Sequence, residues 1–356
     1  LKPNKHIAVI CKYDLKPDRI GGMDRFYIAF DRKLKEQGYT VHWFFSRYKQ
    51  FEFYKELDIT SGSGQVENAF LESQSDSRIK YDVVITHFVE LCTPFFKEVK
   101  KRTNSHIIAV DHNPRPLHGF PIKKRLKNTL KSILYSKYID AFIGVSAYTR
   151  KHIIKDYGFW ITSKTYVVYN GIDTGLYIKN KSREEMRFIV ASHLRKSKGI
   201  HDLIAAVECL SPELRDKMII DIYGEGPEES ALKKMIEDGK LEHIFNFKGS
   251  SPELPSLFAS YSYLLQPTYM ECFSLSILES LAANVPVITT TVGGNLEVVT
   301  HGKNGYIANP GDIKGLVSIL EGIIKRELVI KENVSDLIRD QYHLDLMVDN
   351  HIKMLP

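Results

Sequence analysis

At 356 residues and 43% apolar content, the chain is long for one domain and natural for two, with enough apolar side chains for sizeable cores. Its net charge of +6 is too modest to imply a general nucleic-acid role. No apolar run reaches the roughly 18 residues of a membrane span, and Cys11, Cys92, Cys209 and Cys272 are scattered without a CxxC pair, which points to reduced thiols in a cytoplasmic protein.

No signal-peptide pattern is visible. The chain opens on Leu1 rather than a start methionine, so its natural N-terminus is expected to lie upstream. The first half alternates short apolar runs with amphipathic ones, which predicts a parallel sheet with helices on both faces. Strands are expected at Ile7–Cys11, Val41–Phe45, Asp82–His87, His106–Val110, Asp140–Val145 and Tyr166–Tyr169. Ser61–Gly64 reads as a flexible loop. After the first strand a loop ends in Gly21 and Gly22, and a helix follows from about Met23. Paired glycines let backbone approach a ligand with no Cβ in the way; an ordinary turn would use them equally well. Asp111 and His112 follow a strand, at the end where ligands gather in such sheets. His112 is the candidate there, Asp111 the second choice, and a plain loop histidine the competing reading. Ser146 reads as a helix cap.

Residues 115–139 hold seven Lys or Arg and no Asp or Glu. Ile122, Leu126, Leu130, Ile133 and Leu134 recur at helical spacing, so residues 121–138 are expected to form a helix with an apolar stripe and a basic face. The stripe could pack on its own domain, or the helix could lie on an anionic membrane surface. Both readings stay open.

Tyr169–Asp173, with Asn170 and Gly171, reads as a strand end and turn, and the domain boundary is placed there: residues 1–171, then 172–341. The pattern then restarts. Strands are expected at Phe188–Ser192, Met218–Tyr223, Ile244–Phe247, Tyr263–Gln266, Val285–Thr289 and Tyr306–Ala308. Helices are expected at Ile200–Leu210, Glu228–Asp238, Leu254–Tyr261 and Ser274–Ala283. Between the first strand and helix lies a basic loop with His193, Arg195 and Lys198. Gly224 and Gly226 end the next strand, and Lys248 and Gly249 the one after; each alone is only turn chemistry. Glu271 sits in a loop before a helix capped by Ser274, and Glu279 lies roughly 7–8 Å into that helix. A helix start suits a phosphate. Carboxylates on either side of it could hold the two hydroxyl-bearing ends of a nucleotide-sugar. Two solvated helix carboxylates would show the same spacing.

The order of these motifs resembles the retaining GT-B glycosyltransferases of the family 4 type (glycosyl transferases group 1), over nearly the whole chain. The resemblance implies two Rossmann-like, doubly wound parallel-sheet domains facing across a cleft, an acceptor-side domain first and a nucleotide-sugar-binding domain second. A last helix, about Leu344–Leu355 within 342–356, would cross back to the first domain. It implies that Glu271 contacts the donor sugar, Glu279 the ribose, and the amides of Phe273, Ser274 and Leu275 the phosphate. His112 would contact the donor sugar, the Gly21-Gly22 loop would face the phosphate, and Gly224, Gly226, Lys248 and Gly249 would border the base through backbone groups. The basic loop is similar to the family pattern V-G-R-L-x-x-x-K-G, with Lys198 on its lysine. His193 replaces its arginine, so Arg195 and Lys198 are expected to supply the phosphate charges and His193 a hydrogen bond. Cys272 and Ser274 stand where glycine is common, which could narrow the sugar pocket; the donor sugar is therefore not carried over.

The implied reaction moves a sugar from a nucleotide-sugar to an acceptor hydroxyl with retained anomeric configuration. A UDP-sugar is expected ahead of a GDP-sugar. The acceptor is expected to be a glycan or a lipid-linked glycan in cell-surface polysaccharide synthesis. No D-x-D triplet occurs, so no metal and no other cofactor is expected. The expected location is cytoplasmic, with peripheral contact to the inner membrane face as an extension. Competing classes are a nucleotide-sugar epimerase on the same scaffold, a non-catalytic binding subunit that keeps the fold, a phosphorylase, for which the chain is short, and an NAD-type oxidoreductase, for which the glycine fingerprint is missing.

Overall fold

The computed structural model describes residues 5–17, 20–76, 79–180 and 186–356. The chain divides into two compact units, residues 1–170 with Leu344–Pro356, and Gly171–His343.

The first unit holds a parallel sheet of seven strands: β1 (His6–Asp14), β2 (Thr40–Arg47), β3 (Ile59–Ser61), β4 (Val83–His87), β5 (His106–Asp111), β6 (Ala141–Gly144) and β7 (Thr165–Val167), in the order 3-2-1-4-5-6-7. Ile7–Cys11 and all of β4 are buried on both faces. Such a strand reads as a continuous apolar run because helices cover both sides of the sheet. The helix Gly22–Glu36 buries Phe26, Tyr27, Phe30 and Leu34, spaced by three and four. The helix Leu344–Ile352 returns to it, setting the His351 ring 4.8 Å from that of Phe26 and Asp349 3.5 Å from Lys33.

The second unit repeats the plan with β8 (Arg187–Ala191), β9 (Ile219–Tyr223), β10 (Phe245–Gly249), β11 (Tyr263–Gln266), β12 (Val287–Thr290) and β13 (Gly305–Ala308), ordered 10-9-8-11-12-13 and all parallel. Its central helix, Leu275–Ala282, buries Ile277, Leu278 and Leu281 against the sheet. Each such burial stabilises by about 1.5–3 kcal/mol before entropy is charged against it. Both units are thus Rossmann-like doubly wound sheets, as the alternation of strand and helix predicts.

Three local readings change. The loop expected from Ser61 begins one residue later, at Gly62, because Ile59–Ser61 pairs with β2 as a three-residue edge strand. The expected helix Leu254–Tyr261 splits into a short α-helix, Leu254–Leu257, and a 3-10 turn, Phe258–Ser260. The helix expected over 121–138 runs Ile122–Tyr135 and turns its apolar stripe outward, with Asn128 and Ser132 on its buried side. Among the described residues no helix is long and apolar enough to cross a membrane.

Candidate functional site

In each sheet the connections reverse direction once, between β1 and β4 and between β8 and β11. The carboxyl ends of the strands at such a reversal open a crevice. In the second unit the loops leaving β8 and β11 carry His193, Arg195, Lys198 and Glu271. Main-chain contacts hold the two loops together: the Tyr269 amide donates to the Ser197 carbonyl at 2.8 Å, and the Thr268 hydroxyl donates to the same oxygen at 3.1 Å. Gly199, at φ 69°, closes the turn between them; a Cβ there would lie 1.8 Å from the Pro267 carbonyl oxygen. Only glycine fits so close an approach.

The result is an ion pair: the Lys198 ammonium donates to Glu271 Oε2 at 2.7 Å, and both side chains are largely buried. The other oxygen of Glu271 accepts from the Cys272 amide at 3.3 Å. Two residues on, Ser274 caps the helix Leu275–Ala282, its hydroxyl accepting from the Ile277 amide. The Gln266 side-chain amide donates to the same hydroxyl at 2.7 Å, while Gln266 Oε1 is buried without a protein partner. The cap is neutral, so the partial positive charge of the helix start is not cancelled by a carboxylate of its own. Ser276 ties the first turn to β8 through the Ala191 carbonyl at 2.8 Å. Phe273 is buried against Tyr342, Leu275 is half-buried, and Glu279 is half-buried one turn along the helix.

In the basic loop, Leu194 is buried and the flanking His193 and Arg195 are exposed. The Arg195 amide donates to the His193 carbonyl at 2.9 Å, so the chain makes a tight turn centred on Leu194. Gly224 and Gly226 pack their backbones on this loop; a Cβ on Gly224, at φ 123°, would lie 2.0 Å from the Ser192 carbonyl oxygen. Gly249 joins them, its carbonyl accepting from the Gly224 amide at 2.8 Å. The Lys248 side chain goes elsewhere: its ammonium lies 3.9 Å from the buried Asp221, which also accepts from Arg187 and from the buried Tyr261. Lys248 therefore contributes backbone to this region and its charge to the sheet.

In the first unit Gly21 is the cap of the helix Gly22–Glu36, and its amide donates to Asp24 at 2.8 Å. Asp24 also contacts the hydroxyls of Tyr54 and Tyr13. This helix start already has its anion. It is a poorer phosphate seat than the Ser274-capped one. His112 is buried, stacked on Phe88 at 4.2 Å, with its Nε2 2.9 Å from Nδ1 of His87. Behind it, Arg115 donates to Asp111 at 2.7 Å and to Asp156 at 2.8 Å, all three buried. This fastens the loop after β5 to the helix Ala147–Tyr157.

Sequence reasoning passes over His87, Gln266 and Tyr269. A histidine ending a central strand is the only signal His87 offers. Tyr269 lies parallel to His201 at 5.9 Å, and burial, with Asp202 accepting from it, pushes its hydroxyl up to about 12. Burial also drives the His112 imidazole down to about 3 and His351 to about 4, with His87 well below the usual range. These rings are neutral at pH 7, so His112 can offer a hydrogen bond and no charge.

A pH dependence follows. The unfolded imidazoles take up protons near pH 6.5 while the buried ones stay neutral to far lower pH. Stability is thus complete above about pH 6.5 and is lost as pH falls below it, by up to about 1.4 kcal/mol per pH unit for each ring. Both tryptophans, Trp43 and Trp160, lie in this unit and report its unfolding. The urea midpoint followed by their fluorescence should drop between pH 7 and pH 5; a constant midpoint would contradict the buried, neutral state of the three rings.

The family described as Glycosyltransferase Family 4 matches residues 20–176, and the family described as Glycosyl transferases group 1 matches residues 177–340. An N-acetyl-alpha-D-glucosaminyl L-malate synthase of Bacillus anthracis is 28% identical over 197 residues, 52% of this chain and 51% of that protein. A poly(glycerol-phosphate) alpha-glucosyltransferase of Bacillus subtilis strain 168 is 25% identical over 254 residues, 64% of this chain and 37% of that protein. The matched region spans about half or less of the curated relatives' own length. Among solved structures, Anabaena HepE in complex with UDP-glucose superposes with a TM-score of 0.76 at 17% identity, covering 99% of this chain and 100% of that one. A sucrose-phosphate synthase from Thermosynechococcus elongatus reaches a TM-score of 0.78 at 14% identity, over 99% and 98% of the two chains. At these identities the likeness concerns the fold.

Proposed function

Since this chain belongs to the GT-B glycosyltransferases of the family 4 type, we propose that it moves a hexose from a nucleotide-sugar to an acceptor hydroxyl with retention of configuration. The observation that carries this reading is the Lys198–Glu271 pair beside the Ser274-capped helix, at the chain reversal of the second sheet. In the proposed complex the diphosphate lies against the amides of Phe273, Ser274 and Leu275 at the start of the helix Leu275–Ala282. Lys198 leaves Glu271 for the phosphate, joined by Arg195, and His193 donates a hydrogen bond. Glu271 turns to the sugar hydroxyls and Glu279 to the ribose. His112, neutral and held by His87, donates or accepts a hydrogen bond at the sugar. Glycine backbone at Gly21, Gly22, Gly224, Gly226 and Gly249 gives close approach to phosphate and base.

In the reaction the bond from the anomeric carbon to the phosphate oxygen breaks, and a bond to the acceptor oxygen forms on the same face of the sugar. The acceptor proton passes to the departing phosphate. Charge grows on the diphosphate as the bond breaks, and preorganised cations and amides aimed there lower the barrier. Side chains and a helix start fill the role of a metal, so EDTA is expected to leave turnover unchanged. A UDP-hexose is the proposed donor, and a glycan or lipid-linked glycan of the cell surface the proposed acceptor; HepE with UDP-glucose and the poly(glycerol-phosphate) glucosyltransferase support these choices by their names alone.

A thermal-shift series with UDP-, GDP- and ADP-sugars tests the donor, because a ligand of the native state raises its melting point. A shift with a UDP-hexose is expected, and its absence with every nucleotide-sugar would refute the reading. Glu279→Ala should raise the donor KM by about tenfold or more through loss of a charge-assisted hydrogen bond. If only the acceptor KM moves, the ribose assignment is wrong.

A further inference from the structure

We propose that the helix Ile122–Tyr135, with the adjoining Phe159–Trp160 turn, is a face by which this chain lies on an anionic lipid bilayer. The usual arrangement of a surface helix is reversed here. It meets its own unit through polar groups: the Thr129 hydroxyl donates to the Asp156 carbonyl at 3.4 Å, the Trp160 indole donates to the Ser132 hydroxyl at 3.2 Å, and Asn128 is buried. Its apolar side chains face outward instead. Ile122 is 72% exposed and Leu130 63%, with Leu126, Ile133 and Leu134 close behind. Phe159, 80% exposed, adds an aromatic ring beside Trp160, which the indole hydrogen bond ties to this helix. A single exposed aliphatic side chain needs no explanation, but three leucines and two isoleucines on one side of one helix do.

The charge identifies the occupant. Residues 115–139 carry seven Lys or Arg and no acid; Arg115 is taken up by Asp111 and Asp156 and Lys131 pairs with Glu90 at 2.6 Å, which leaves the basic flank to the others. Lys123 and Lys127, one turn apart, are exposed along one flank of the stripe. A second copy of the chain docked on this face would bring like charges together. An anionic membrane supplies the opposite sign along with an apolar layer for the stripe. A helix of this length, about 21 Å, lies in the plane of the interface with its apolar side sunk between headgroups. The basic flank is drawn by the negative surface potential and is weakened by salt. The face belongs to the first unit and is independent of the donor site.

Co-sedimentation with vesicles of phosphatidylcholine, with and without phosphatidylglycerol, tests this using the full chain and no donor. Binding is expected only with phosphatidylglycerol and should fall with salt. The variant L130Q/I133Q/L134Q alters exposed positions alone and should keep the tryptophan fluorescence and melting point of the parent. Its vesicle partitioning should drop by about tenfold or more. K123Q/K127Q should reduce binding to anionic vesicles in low salt and make little difference in high salt. Equal binding to neutral vesicles, unchanged binding by the glutamine variant, or no vesicle binding at all would overturn the proposal. So would self-association in lipid-free buffer that the glutamine variant abolishes, since that result assigns the stripe to a second copy. Because vesicle binding is read without turnover, its failure leaves the donor-site reading untouched.

Discussion

Replacing Lys198 by alanine is expected to lower turnover by on the order of a hundredfold while leaving the fold intact. The ammonium sits 2.7 Å from Glu271. In the proposed complex it faces the diphosphate, where charge rises as the glycosidic bond breaks. A donor of that kind acts mainly on the transition state, so kcat should fall more than the donor KM rises. Arginine at the same position should restore part of the rate, since it returns the charge with a different geometry. Loss of Lys198 also leaves the Glu271 carboxylate without its partner, so Glu271→Gln in the same background should cost less than it does alone. Steady-state rates on the four variants measure both effects. Near-normal turnover in the alanine variant would remove Lys198 from the chemistry.

The second large effect concerns stability. Arg115→Ala should destabilise the first unit by about 3–5 kcal/mol, because it strands two buried carboxylates that now share one guanidinium. Burial alone works against the charge of Arg115, but Asp111 and Asp156 more than restore it. Asp111 keeps the Asn113 backbone and side-chain amides at 3.0 and 2.9 Å, but Asp156 Oδ1 is already buried without a protein partner, so Asp156 bears most of the loss. Lysine should rescue poorly, since one ammonium cannot reproduce the two-sided fork. Arg115→Met combined with Asp111→Asn and Asp156→Asn should recover much of the loss, because no uncompensated charge remains. Urea unfolding followed by Trp43 and Trp160 fluorescence distinguishes these cases. A single-variant loss under 1 kcal/mol would show that water reaches the carboxylates.

Much of the architecture is legible in the sequence for a simple reason. Parallel strands buried on both faces, such as Val83–His87 and Tyr263–Gln266, are continuous apolar runs, and the helices between them show their spacing openly. Ile59–Ser61 is harder to see. Three residues on a sheet edge have no periodicity to display, and a Ser-Gly run follows directly. The helix Ile122–Tyr135 is visible in its spacing, but its direction is not. A stripe has the same period whether it faces a core or the outside, and only the polar contacts of Asn128, Thr129 and Ser132 decide.

At the candidate site, strand-end positions follow from the motif order, whereas pairings do not. Lys198 and Glu271 are 73 positions apart and meet because β11 lies beside β8, a fact of sheet order rather than of local pattern. His87 and His112 meet for the same reason, through the neighbouring strands β4 and β5. Asp24 shows the converse. Its place three residues after Gly21 was available to reading, and it marks the first helix start as already supplied with an anion.

A crystal structure of the chain with a UDP-hexose is the most direct trial of the donor site. The diphosphate should rest on the first turn of Leu275–Ala282, with the Lys198 ammonium turned from Glu271 to a phosphate oxygen and Glu271 on a sugar hydroxyl. Phosphates bound away from that helix, or a Lys198–Glu271 pair unbroken beside the bound donor, would contradict the account.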